Sequence, residues 1–111
     1  MILYFKTKKL QKICSKSNEA QKALGRKMAN KLQQRLMELQ AADCLEDISR
    51  VPPPRCHQLT GNRAGQLSVD LVHPYRLLFI PANDPIPKLD DGGLDWSRVT
   101  EVEIIGIVDT H

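Results

Sequence analysis

Gln66-Leu67-Ser68-Val69-Asp70-Leu71 alternates polar and apolar residues without a break. An extended strand points successive side chains to opposite faces. The stretch therefore reads as a strand with Leu67, Val69 and Leu71 turned to a core and Gln66, Ser68 and Asp70 turned away. Just before it, Thr60-Gly61-Asn62-Arg63-Ala64-Gly65 holds two glycines and an asparagine, which accept left-handed backbone, so a turn is expected there. Residues 55–59 form the strand leading into that turn, with Arg55, His57 and Leu59 on one face. On the other side His73-Pro74 breaks the chain, and Tyr75-Arg76-Leu77-Leu78-Phe79-Ile80 is the next strand. Residues 81–98 contain three prolines, two glycines and four aspartates and read as a long surface loop. Residues 101–108 form a last strand, before Asp109-Thr110-His111.

Upstream of this sheet the periodicity changes. Residues 2–5 are strand formers. Thr7 is placed to cap a first helix through about Cys14, with Leu10 and Ile13 on its apolar side. Ser17 is placed to cap a second helix, in which Leu24, Met28, Leu32, Leu36 and Leu39 recur every three or four residues and mark the face that packs on the sheet. Asp43 with Glu46 resembles a capping box for a short turn, and Pro52-Pro53-Pro54 ends helical structure. Strand, two helices, then four short strands joined by turns imply one α+β domain over 1–111: two layers, the N-terminal strand and two helices packed on a small antiparallel sheet.

Composition narrows the function. At 111 residues, 41% apolar and 26% charged, the chain matches a single globular domain. No apolar run is long enough for a membrane span. Met1–Lys6 lacks the basic lead and cleavage site of a secretory signal. Cys14, Cys44 and Cys56, odd in number and irregular in spacing, read as reduced thiols of a cytoplasmic protein and not as zinc ligands. No cofactor motif occurs, and no glycine-rich phosphate loop follows a strand. Charge is divided unevenly: residues 1–40 hold ten cations against two acids, and residues 41–111 hold six against eleven, for the overall +3. Such a basic half suits phosphate backbones or an acidic partner. Lys8, Lys9 and Lys12, with Lys16, are the candidate phosphate grips; the bland reading is a solvated helix face.

Three histidines, His57, His73 and His111, offer proton-transfer groups near neutrality. Arg63 in the turn and Arg76 on the following strand offer planar donors for a phosphate. Together these are the parts that RNA cleavage by the ribose 2′-hydroxyl needs without a metal. His73 reads as a turn residue.

The same stretches resemble a known family. Arg55-Cys56-His57-Gln58-Leu59-Thr60-Gly61-Asn62-Arg63-Ala64-Gly65 is similar to the central motif of HigB-type toxins. Leu71 to Phe79 is similar to their next strand with its aromatic–Arg pair, and Ile107-Val108-Asp109-Thr110-His111 to their terminal Asp-Tyr-His. The 81–98 loop is similar to that of a plasmid-maintenance or killer-protein subgroup. The resemblance spans nearly the whole chain. It implies a RelE-like fold and the toxin half of a type II toxin–antitoxin pair that cuts mRNA on the ribosome and so inhibits translation. It also implies a helix-turn-helix, HigA-like antitoxin, and operator DNA bound through the complex. Carried over by residue, it makes His57, Arg76, Asp109 and His111 catalytic. His111 or Asp109 would accept the proton, and His57 would donate or position. Arg63, Lys8, Lys9, Lys12 and Tyr75 would contact RNA. Thr110 departs from the family's Tyr; threonine cannot stack on a base, which shifts that part to Tyr75 or Trp96. Two other readings stay open: a ParE-like inhibitor of DNA gyrase, and a non-catalytic module that binds only antitoxin and operator.

Overall fold

The computed structural model describes residues 1–109. The chain runs β1 (Ile2–Phe5), α1 (Lys8–Ser15), α2 (Ser17–Leu24), α3 (Arg26–Ala41), β2 (His57–Gln58), β3 (Leu67–Asp70), β4 (Tyr75–Pro81) and β5 (Glu101–Asp109). Single 3-10 turns lie at Leu45–Asp47, Gly61–Arg63 and Trp96–Arg98. This is the α+β architecture expected, with a helical layer on one face of a five-stranded sheet.

Local chemistry explains most boundaries. Thr7 caps α1, its hydroxyl accepting from the Leu10 amide at 3.1 Å. The expected single long helix is instead two. Gly25, at φ 81°, breaks the periodic stretch, a conformation that costs glycine little and other residues more. The apolar stripe crosses the break unharmed. Leu32, Leu36 and Leu39 are buried, and Leu24 and Met28 pack against the same cluster. The capping box is displaced by one residue from the Asp43/Glu46 pair: Cys44 is the cap, and the Asp47 carboxylate accepts from the Asp43 and Cys44 amides.

The sheet order is β1-β5-β4-β3-β2. Neighbours are antiparallel except β1 and β5, which are parallel, so the sheet is mixed. The helices lie between β1 and the rest, and a crossover of that length lets two strands run the same way. Leu67, Val69, Leu77, Phe79, Val102 and Ile104 form the covered face and are buried against the helices. The register between β4 and β5 shifts at Leu78/Phe79, where β5 carries one extra residue. Such a bulge reverses which side chains face which way beyond it.

The 81–98 segment is tied down at its far end. Asp95 caps the turn that carries Trp96, and Trp96 joins the core beneath the Arg50 guanidinium, 3.8 Å from the ring centroid. Hydrogen bonds from Ser97 and then Arg98 hold the Asp95 carboxyl below its usual range.

Candidate functional site

The face of the sheet opposite the helices carries the chemistry. Strand alternation and register put His57, Ser68, Asp70, Arg76 and Leu78 there: His57 pairs with Ser68, Ser68 with Leu78, and Asp70 with Arg76. His57 and Arg76, nineteen residues apart, meet across β3. Their Nε2 and Nη1 atoms are 3.5 Å apart, and the Arg76 side chain is only 14% exposed.

Asp70 organises the cations. Its carboxylate accepts two bonds from Arg55, Nε at 2.8 Å and Nη2 at 3.1 Å, and stands 3.6 Å from Arg76 Nε. The bonds to Asp70 push the Arg55 guanidinium further up from its ordinary value. Two guanidiniums against one carboxylate leave the cluster with an excess positive charge, suited to a phosphate.

Backbone and helix hold this cluster from behind. The Asp70 amide donates to the Pro54 carbonyl at 2.8 Å, which fastens the segment after the proline run to β3. Arg35, buried on α3, donates from Nε to the Asp70 carbonyl at 2.7 Å and pairs with Glu38 at 3.1 Å. Arg55 itself sits at φ 48°, a strained conformation for a residue with a Cβ. Strain of this kind persists only where surrounding contacts over-determine it, and it collects at functional sites.

Two contacts orient the His57 ring. Its Nδ1 lies 3.0 Å from the Arg55 carbonyl oxygen. A carbonyl only accepts, and a guanidinium only donates. In this arrangement Nδ1 faces an acceptor and Nε2 faces a donor.

The other expected site residues lie elsewhere. Arg63 donates to Gln66 at 3.4 Å in the turn beyond β2. Tyr75 is exposed at the start of β4, next to Arg76. Asp109 pairs with Tyr75, whereas Arg76 pairs with Val108. Beyond the bulge, then, Asp109 shares the face of Tyr75 and not that of Arg76. Lys8, Lys9 and Lys12 are exposed on α1, in the helical layer across the sheet from His57. His111 lies outside the described residues. Trp96 is buried with Arg50 over its ring, and Tyr75 projects from the other face of the sheet, so neither aromatic joins the His57–Arg76 cluster.

Sequence reasoning missed Asp70 and Arg35. Asp70 was visible only as a polar member of an alternating strand. Arg35 fell one position from Leu36 inside the apolar stripe, and a cation there signals a buried partner. Among the described residues no three His, Cys, Asp or Glu side chains come together in a way that could hold a metal ion. No helix among them is long and apolar enough to cross a membrane.

No family model and no curated protein matches the sequence. By structure the chain is similar to a YoeB/ParE toxin from Agrobacterium tumefaciens. The TM-score is 0.60 at 12% identity, and the match covers 100% of both chains. The fold is that of the RelE/YoeB type of toxin.

Proposed function

We propose that the chain is a toxin of a type II toxin–antitoxin pair, of the HigB-like kind, that cleaves RNA at the His57–Arg76 face. The observation that carries this reading is His57 Nε2 held 3.5 Å from a guanidinium nitrogen of Arg76. A base beside a phosphate-binding cation is the pairing that 2′-hydroxyl attack requires. The ribose hydroxyl gives its proton to His57 Nε2 and its oxygen attacks the adjacent phosphorus. Arg76, with Arg55 behind it, stabilises the added negative charge, and the leaving 5′-oxygen departs with a proton.

With Nε2 beside Arg76, His57 is the proton acceptor in this scheme, the reverse of the role assigned to it from the sequence. The proton for the leaving group is assigned to His111, the other proton-transfer group that the resemblance makes catalytic; Asp109, on the other face of the sheet from Arg76, takes no part in this scheme. The exposed lysines of α1 reach phosphates of a larger particle, the ribosome, on the opposite side of the domain. The antitoxin is a HigA-like helix-turn-helix protein, and the pair binds its operator DNA together.

The test is induction of the protein without an antitoxin, followed by mapping of RNA 5′ ends. Cuts within translated codons, abolished by His57→Gln, support the reading. Intact messages with DNA damage would instead indicate a gyrase-directed toxin, and normal growth with intact messages a non-catalytic module.

A further inference from the structure

Ser68 is the one buried side chain among the described residues whose polar atom has no partner. Its exposure is 0%, yet it sits on the outward face, as the direct register partner of His57 in β3. An unmade hydrogen bond in a dry place costs stability, and alanine would fill the same space without that cost. Packing therefore does not account for a serine here.

The site chemistry does. In the resting state Nε2 receives from Arg76, and Nδ1 donates to Arg55. Once the ring takes up a proton, Nε2 must donate, and Arg76 cannot accept. Among the described residues the charged groups placed around His57 are Arg76 from β4, Asp70 from β3 and Arg55 from its own segment, and Asp70 is occupied by the two arginines. Directly opposed residues on neighbouring strands have Cβ atoms about 5 Å apart, so the Ser68 hydroxyl is close by with both lone pairs open.

We propose that Ser68 is a positioning residue of the His57 site: its hydroxyl accepts from Nε2–H when the imidazole becomes protonated and steadies the imidazolium against the adjacent guanidinium. The inference rests on the His57 base reading above, and its test is independent of RNA. Nitrogen-15 NMR of the full chain follows protonation of the His57 ring in the parent, in Ser68→Ala and in Ser68→Thr. A hydrogen bond to the charged form favours that form, so its loss in Ser68→Ala should move ring protonation to lower pH by roughly one unit. Ser68→Thr, which keeps the hydroxyl, should titrate like the parent. The alanine variant should also melt no lower than the parent. An unchanged His57 titration in Ser68→Ala, a threonine variant that titrates like alanine, or a lower melting point in Ser68→Ala would each overturn the proposal. If the titration moves as expected but no variant, parent included, cuts RNA, the nuclease reading fails while the Ser68–His57 link stands.

Discussion

The two faces of the sheet are built by opposite rules. The covered face, with Leu67, Leu77, Phe79 and Ile104, is fully buried and apolar. The open face carries a strained arginine, a carboxylate shared by two guanidiniums, a histidine set between a carbonyl and a guanidinium, and a serine with an unmade bond. One face minimises free energy through close packing. The other keeps polarity that packing alone does not require. A region that departs from the stability optimum while its neighbour meets it is where function is to be sought.

This contrast can be broken experimentally. The largest expected effect is on the covered face: Phe79→Ala should cost about 3–5 kcal/mol of unfolding free energy by denaturant titration, as for deletion of a buried ring. His57→Gln, on the open face, should change stability by less than about 1 kcal/mol. If it unfolds the protein as Phe79→Ala does, the open face is structural and the contrast is void.

The second effect is on chemistry. His57→Gln should lower RNA cleavage by roughly 10²–10⁴-fold, the range for a general base. Arg76→Ala should lower it by about 10²-fold or more while leaving the fold intact. Arg76→Lys should recover only part, since an ammonium lacks the planar fork. Activity that survives both changes would move the site elsewhere.

A smaller effect concerns the ion pairs that brace the open face. Arg55 and Asp70 are about a third exposed, so solvent screens them. A double-mutant cycle should give a coupling near or below 1 kcal/mol. A much larger value would mean that the pair holds the fold and not only the site.

Two milder measurements sharpen the edges of the comparison. Asp95, which caps the Trp96 turn, has its pKa lowered by Ser97 and then Arg98. A lowered folded value means that its contribution is present above the unfolded carboxylate's value and is lost as pH falls through the folded one. Trp96 fluorescence should therefore stay constant down to that range and change only in stronger acid; a transition near neutrality would contradict the capping role. Burial pushes the Cys14 thiol up to about 11 and the Cys56 thiol up to about 12. At neutral pH a thiol reagent should modify the half-buried Cys44 first, with Cys14 and Cys56 reacting only on unfolding. Early labelling of Cys56 would show that β2, which follows it directly, opens readily.

Periodicity alone determined much of this protein. Alternation at 66–71, the three-and-four spacing of the leucines through 24–39, and the turn residues at 60–65 are local signals set by backbone geometry. They were enough to give the two layers and to put His57 on a strand, although that strand is only His57–Gln58 and Arg55 lies before it at φ 48°. They also marked Ser68 and Asp70 as outward residues. Three things were decided only in three dimensions. Gly25 turned one long helix into two, because glycine takes φ 81° at little cost where the helical pattern alone gives no sign of a stop. One extra residue in β5 placed Asp109 on the far face from Arg76, because a strand of period two flips with any single insertion. The meeting of His57 with Arg76, and of Arg35 with the Asp70 backbone, came from strand order and helix packing. Those are contacts between residues far apart in the chain, and no local pattern encodes them.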